Sequence, residues 1–406
     1  MAREMKDSGI LWIKEIPKSW TIVRGKYILK LFSKPVKEDD GVITCFRDGE
    51  VTLRSNRRED GFTISDKEIG YQGIDVGDLV VHGMDGFAGA IGISDSRGKA
   101  SPVLNVLDTI QNKKYIMYYL RSMAYSDVFT AIATGIRVRS CDLRWNKLAE
   151  LFYPIPSLQE QKKIADYLGE KCAEIEELKA DIQSQIDIFE DYKKSVITEA
   201  VTKGLNPDVE MKDSGIEWIG EIPKNWNIIK IKYLCKMQSG DNITAQDINS
   251  EKDEINCYEV YGANGFRGYY KYYTHIGKYC LIGRQGALAG NVHLIDNIFW
   301  ATDHAVVVYV NNKVSQEYMY YLFLAMNLNQ YAFDTAAQPG LAVSKIMNLQ
   351  MALPPYTQQQ LILDFLNKKC FRIDRTIKEK KEQLDVLEQY KKSLIYEYVT
   401  GKKEVL

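Results

Sequence analysis

The chain has 406 residues, 45% of them hydrophobic and 26% charged, with a formal net charge of −1. That is enough for two or three domains with real cores, and the composition is ordinary for a globular protein. Near-neutral charge excludes a uniformly basic surface, so any face for nucleic acid has to be local. The seven cysteines (45, 141, 172, 235, 257, 280 and 370) never fall in a C-x-x-C spacing, and there are only four histidines. This speaks against a structural metal site and for a reduced, cytoplasmic setting. The first residues lack the apolar core of a signal peptide, and no run of about 20 apolar residues predicts a membrane span.

Residues 5–20 read Met-Lys-Asp-Ser-Gly-Ile-Leu-Trp-Ile-Lys-Glu-Ile-Pro-Lys-Ser-Trp and return at 211–226 with only Leu11, Lys14 and Ser19 changed. Trp12, Ile13, Ile16 and Trp20 alternate with charge, as expected of a strand or irregular segment anchored in a core and ended by Pro17. Residues 21–155 form a first variable block. Its short β-branched runs, Gly41-Val-Ile-Thr44, Phe62-Thr-Ile-Ser65, Asp78-Leu-Val-Val-His82 and Gly89-Ala-Ile-Gly-Ile93, are punctuated by Gly and Asp. They predict a twisted, mostly antiparallel sheet. A helix is predicted over Lys113–Phe129, and the polar segment Thr134–Ser140 follows.

From 156 to 210 the sequence predicts one long helix, over about 157–202. Leu168, Ile175, Ile182, Phe189 and Val196 fall at heptad spacing, with Lys179 and Lys193 in the same seam. Thirty-three residues of such a seam make a rod of roughly 50 Å. The helix returns over 354–406: Asp166, Leu168, Cys172, Ile175 and Tyr192-Lys-Lys-Ser195 become Asp364, Leu366, Cys370, Ile373 and Tyr390-Lys-Lys-Ser393. Its seam runs through Leu366, Ile373, Leu384, Leu387 and Leu394 and carries Lys380 and Lys391. Two matched seams in one chain pack most simply on each other, antiparallel, with a domain between them. Residues 227–353 form the second variable block, with strands expected at Lys278–Ile282 and Ala305–Val310 and a helix at Gln316–Asn327. The frame is duplicated and the cargo has diverged, which suggests two binding heads of different specificity. The fold class expected is α+β: two β-rich domains and two long helices in an antiparallel coiled coil, with a pseudo-twofold internal repeat.

No catalytic constellation emerges. Leu353-Pro-Pro-Tyr356 lacks the Asn or Asp that an amino-methyltransferase motif needs and reads as a helix start. Phe87-Ala-Gly-Ala-Ile-Gly92 has no following helix, and the stretch from Gly92 to Ala100 is one residue too long for a phosphate loop; both read as hairpin turns. Glu160-Gln-Lys162 and Glu379-Lys-Lys381 lie on the long helices without a partnering aspartate. The chain is read as non-catalytic, with no metal site. The variable blocks do offer side chains that read base edges and backbone, on glycine-flanked loops. In the first these are Arg54, Asn56, Arg57, Arg58 and His82; in the second, Tyr261, Asn264, Arg267, Arg284, Gln285 and His304.

The repeated Asp-Ser-Gly-x-x-Trp-Ile-x-Glu-Ile-Pro-x-x-Trp segments, the Ile-Pro-x-Leu-x-Glu-Gln helix start at 155–161 and the Tyr-Lys-Lys-Ser helices resemble the specificity (S) subunit of type I restriction–modification systems. Tyr261-Gly-Ala-Asn-Gly-Phe-Arg-Gly-Tyr269, Leu281-Ile-Gly-Arg-Gln-Gly286, Gly290-Asn-Val292 and Phe299-Trp-Ala-Thr-Asp-His304 resemble its second kind of block. The resemblance implies two target-recognition domains (21–155 and 227–353), each reading half of a split, asymmetric DNA target. It implies two methyltransferase (M) subunits using S-adenosylmethionine, and restriction (R) subunits using ATP and magnesium. The chain itself would neither methylate nor cut. Near-zero charge then predicts weak DNA binding by the isolated chain. If the helices act as a ruler, four added residues would move a head about 6 Å, nearly two base pairs. One departure stands out: Leu158-Gln-Glu-Gln161 becomes Tyr356-Thr-Gln-Gln359 in the second copy. The alternatives are a solitary DNA methyltransferase or nuclease, and a DNA-binding or scaffold protein of similar architecture without an active restriction complex.

Overall fold

The computed structural model describes residues 3–57, 69–132, 143–286, 289–335 and 338–405. It divides into two compact units, Met1–Ile182 with Glu382–Leu406, and Gln183–Lys381. Two long helices, a central one over Leu158–Lys203 and a C-terminal one over Tyr356–Val399, each contribute to both units.

In the first unit the leading segment is a small hairpin, Met5–Asp7 against Glu15–Pro17. Ile13, Ile16 and Trp20 are fully buried, whereas Trp12 is only half-buried against the rings of Tyr119 and Tyr396. Pro17 is the last residue of its strand, as expected. Thr21–Arg24 then pairs antiparallel with Phe152–Ile155, so the strands that open and close the head are neighbours. Between them lies an antiparallel sheet in the order Leu29–Phe32, Leu104–Thr109, Leu79–His82, Ile91–Ile93. Two two-stranded ribbons flank it, Ile43–Cys45 with Val51–Leu53 and Gln72–Ile74 with Gly98–Ala100.

A helix over Lys113–Tyr125 packs on this sheet. Its first turn is capped by the Asn112 side chain, which accepts from the Tyr115 N–H at 3.0 Å. It is shorter than expected: Asp127 takes a left-handed φ of 54°, and the chain restarts as a separate turn at Val128–Ala131. Helix propensity on either side could not reveal that break. The Phe87–Gly92 stretch is the hairpin connection expected. The turn from Gly92 to Gly98, by contrast, carries the chain from one sheet to another, since Gly98–Ala100 pairs with Gln72–Ile74. The expected strand Phe62–Ser65 and the polar segment Thr134–Ser140 lie outside the described residues.

The second unit repeats the plan with a larger sheet. The hairpin Met211–Asp213/Glu221–Pro223 buries Ile219, Ile222 and Trp226, and Asn227–Lys230 pairs with Gln350–Leu353. Six strands form one sheet in the order Cys235–Ser239, Ala305–Val310, His275–Gly283, Val292–Ala301, Tyr258–Gly262, Gly265–Tyr270. All neighbours are antiparallel except Val292–Ala301 with Tyr258–Gly262. Alternate residues serve two cores. Cys280, Ile282, Val306 and Val308 face the helix Gln316–Met326, while Leu281, Phe299, Ala301 and Val307 pack on the opposite face. Asn327, in a left-handed conformation, ends that helix.

Within each unit the long helices run antiparallel. In the first, Lys391 pairs with Glu176 at 2.6 Å and Lys179 with Glu388 at 2.7 Å. In the second, Lys193 pairs with Asp374 at 2.7 Å and Lys381 with Glu190 at 3.6 Å. Leu168, Ile175, Ile182, Val196, Leu366, Ile373 and Leu394 are buried as the seam requires. Phe189, Leu384 and Leu387 are only half-buried, because a two-helix seam covers a large side chain from one direction. The seam lysines are satisfied by carboxylates or, for Lys380, by the Gln185 amide at 2.5 Å.

Three contacts recur with matching residues, which shows how closely the frame is copied. The Glu176–Lys391 pair corresponds to Asp374–Lys193. Tyr115 donates its hydroxyl to the Val399 carbonyl, and Tyr318 donates to that of Val201. Trp20 donates its indole N–H to Glu160, and Trp226 to Gln358. The last pair explains the departure at the helix start. Glu160 also binds the Arg3 guanidinium, whereas Val209 stands at the corresponding place beside Gln358, so a neutral amide suffices there.

Candidate nucleic-acid interface

The first head holds a cleft of about 570 Å³ lined by Thr44, Phe46, Arg47, Asp48, Arg54, Arg57, Tyr71, His82, Asp85 and Ser101, among others. Local folding builds it. The Phe46–Glu50 turn joins strands Ile43–Cys45 and Val51–Leu53, and a 3-10 turn over Arg54–Asn56 follows directly. These turns put Arg57 against the loop between the two strands. Its guanidinium carbon sits 4.2 Å from the Phe46 ring centre, and its nitrogens reach Asp48 at 2.6 Å and Glu50 at 3.2 Å. The hydrogen bond that Arg57 donates to Asp48 pushes the Arg57 pKa up. Burial works to raise Asp48, and the bond from Arg57 overcomes it, holding that carboxyl below its ordinary value.

His82 ends the strand Leu79–His82. Its Nδ1 accepts from the backbone N–H groups of Met84 (3.2 Å) and Asp85 (2.9 Å). Burial lowers the His82 pKa; Asp85 opposes this and Arg47 adds to it, so the ring is neutral at neutral pH. With Nδ1 an acceptor, the neutral ring carries its proton on Nε2. Arg47 meanwhile binds Asp85 at 2.8 Å. Among the other expected readers, Arg54 lines the cleft with Nε 3.4 Å from Thr44 Oγ1. Asn56 instead turns its amide back to Thr52 at 2.9 Å. Arg58 lies outside the described residues.

In the second head the expected residues form two groups on either side of one turn, Thr302–His304. On one side Arg284 donates its backbone N–H to the His304 carbonyl (2.9 Å) and its guanidinium to Ser239 (2.9 Å). Gln285 Oε1 lies 3.0 Å from His304 Nδ1. On the other side, the N–H of Thr302 reaches the carbonyl of Tyr261. The hydroxyl of Tyr261 donates to Glu259 at 2.6 Å, and burial followed by that contact drives its pKa up. Asn264 and Arg267 are exposed at the tip and flank of the Gly262–Gly265 turn. A Cβ at Gly262 would stand 2.7 Å from the Arg267 Cδ, so a larger residue there would displace the arginine stem. Tyr261 is thus a strut for the turn, while Arg267, Arg284, Gln285 and His304 stay exposed.

Sequence reading missed the residues that hold these candidate side chains: Phe46, Asp48 and Glu50 around Arg57, and Ser239 beside Arg284. An Asp-Gly turn at 48–49 between two β-branched runs was the available signal for the first group. Among the described residues no group of three or more His, Cys, Asp or Glu is placed to hold a metal ion. No helix among them is long and apolar enough to cross a membrane.

Residues 223–389 match the family model of the type I restriction modification DNA specificity domain. The chain is 44% identical over 135 residues to the type I restriction enzyme EcoprrI specificity subunit of Escherichia coli, covering 33% of each chain. It is 24% identical over 277 residues to the MjaVIII specificity subunit of Methanocaldococcus jannaschii, covering 62% of each. The matches thus span less than two thirds of either relative. A chain solved in work on complex assembly and conformational transition of the type I R-M system superposes with a TM-score of 0.70 at 12% identity. That likeness covers 96% of this chain and 99% of the other, and it is one of fold. The second head and the start of the C-terminal helix thus carry the match to a type I restriction modification DNA specificity domain, and the chain as a whole is similar to type I restriction enzyme specificity subunits.

Proposed function

We propose that this chain selects the DNA sequence on which a type I restriction–modification complex acts. Each head reads one half of a bipartite, asymmetric double-stranded target, and the long helices carry the two heads. Two methyltransferase subunits, supplied with S-adenosylmethionine, methylate adenine at the sites so chosen, and restriction subunits using ATP and magnesium cut unmodified DNA. The chain contributes recognition and no chemistry. The observation that carries this reading is a frame copied down to single contacts that bears two heads with different exposed readers. A scaffold for one repeated partner has no need of unlike heads. Linking two short readouts raises the effective concentration of the second, so two weak contacts become one selective one.

The test is methylome sequencing of cells that express the cognate methyltransferase subunits with and without this chain. A bipartite methylated motif that appears only with the chain is the expected result. Methylation unchanged by its absence would refute the assignment.

A further inference from the structure

We propose, on the DNA-reading role above, that the cleft of the first head reads the major-groove edge of a guanine, with Arg57 as its principal reader. Guanine alone offers two adjacent acceptors there, N7 and O6, and no donor; adenine pairs an acceptor with an amino donor, cytosine offers a donor, and thymine one acceptor beside a methyl. The cleft is matched to acceptors. Arg57 can only donate, and His82, neutral with Nδ1 already accepting two backbone N–H groups, presents a donor at Nε2. The nearby carboxylates and the Thr44 hydroxyl already face protein donors. Asp48 takes Arg57 on Oδ2 and the Glu50 N–H on Oδ1, Asp85 takes Arg47, and Thr44 Oγ1 faces Arg54. Asp85 Oδ2 in turn stands 3.9 Å from His82 Nε2, so both cleft carboxylates already face donors of the protein.

The same geometry disfavours the other acceptor-rich ligand of DNA, a backbone phosphate. Asp48 and Asp85 line the cleft and Glu50 stands behind Arg57, so an entering anion meets carboxylates as well as guanidinium groups. A neutral base edge does not carry that penalty. Stacking on Phe46 and the two carboxylates also fix the plane of the Arg57 fork before any ligand arrives. A fork held in one plane suits bidentate, directional recognition.

The experiment is methylome sequencing with the cognate methyltransferase subunits and three forms of the full chain: unaltered, Arg57→Ala and Arg57→Gln. The unaltered chain should give a motif with an invariant guanine in one half. Arg57→Ala should make that position degenerate, with about a 10- to 100-fold loss of preference for guanine, and leave every other position intact, which shows that the variant folds and assembles. Arg57→Gln keeps a long side chain beside Phe46 and replaces the fork with an amide suited to adenine, so preference should move from guanine toward adenine. The guanine assignment is overturned if the relaxed position is an A, C or T, or if the motif is unchanged in both variants. It is also overturned if methylation falls uniformly at all sites with unaltered melting and a weaker salt dependence, the signature of a phosphate contact. No bipartite motif with the unaltered chain would overturn the proposed function itself, and this inference with it.

Discussion

The cross-helix ion pair of the first unit is unequal in a way that predicts the outcome of two substitutions. The side chain of Lys391 is 10% exposed, while Glu176, 2.6 Å away, keeps half of its side chain in water. Exposed pairs contribute about 0.2–1 kcal/mol, whereas removing one partner of a fully buried pair costs about 3–5 kcal/mol. Lys391 is close to the buried case and Glu176 is not. Glu176→Gln strands a nearly buried ammonium with only Glu388 left to offset it, and should cost about 1.5–2.5 kcal/mol. Lys391→Met removes the charge and keeps the apolar stem, leaving a carboxylate that water can hydrate; its cost should be about 0–0.5 kcal/mol. In melting temperature the gap is about 3–8 °C for a unit of this size. The second unit supplies a control: Lys193 is 26% exposed and Asp374 54%, so Asp374→Asn should cost less than about 1 kcal/mol. Urea and thermal unfolding of the full chain read all three. If Lys391→Met destabilises as much as Glu176→Gln, the account of the pair by unequal burial is wrong.

The leading hairpins offer a second internal comparison. Lys14 holds a φ of 66° where its counterpart Gly220 holds 68°, in turns closed by the same backbone bond from that residue to Ile10 or Ile216. A left-handed side-chain-bearing residue costs about 1–2 kcal/mol, and glycine gives back part of this in unfolded-state entropy. Lys14→Gly should therefore stabilise by about 0.5–1 kcal/mol and Gly220→Lys destabilise by a similar amount; unfolding midpoints moving the opposite way would contradict this. In the first head, the hydrogen bond from Lys34, then that from Arg97, hold Asp75 down to about 2 from 3.8. Its folded-state pKa is depressed, so its contribution is fully present above the unfolded value and is lost as pH falls through the folded one. Asp75→Asn should melt lower than the parent at neutral pH, with the gap closing between about pH 4 and pH 2. A gap that persists below pH 2 would show that the carboxylate charge is not its source.

Heptad spacing and near-identical repeats made the frame legible from sequence, since both are local patterns along one chain. The heads were legible as β-rich blocks, the first as a mostly antiparallel sheet, but their strand order was not, because order depends on pairing between distant strands: Leu104–Thr109 lies between Leu29–Phe32 and Leu79–His82. Two features went unseen for a different reason. The first is that each head's helix is also part of the copied frame. Tyr115 and Tyr118 match Tyr318 and Tyr321, but two tyrosines in an amphipathic helix look like any other core. Only the hydroxyl bonds to Val399 and Val201, and the contacts of Tyr118 with Cys172 and of Tyr321 with Cys370, set them apart. The second is the difference between a polar residue that faces a cleft and one that supports its own strand. Arg57 and Asn56 are neighbours of equal promise in the sequence, yet one faces a cleft and the other bonds its own strand.

That difference bears on how such a chain changes what it recognises. Frame contacts fix where each head starts and ends. Trp20 with Glu160 and Tyr115 with Val399 act in the first unit, and Trp226 with Gln358 and Tyr318 with Val201 in the second. None of these contacts involves Arg57, His82, Arg284 or His304, so the readers can vary without disturbing the attachment. A reader cannot vary alone, however. Arg57 depends on Asp48, Glu50 and Phe46 for its orientation, and an arginine placed there without them would lose that fixed plane. Specificity in this architecture is therefore a property of the reader together with the residues that hold it, and it should transfer between chains as whole loops rather than as single side chains.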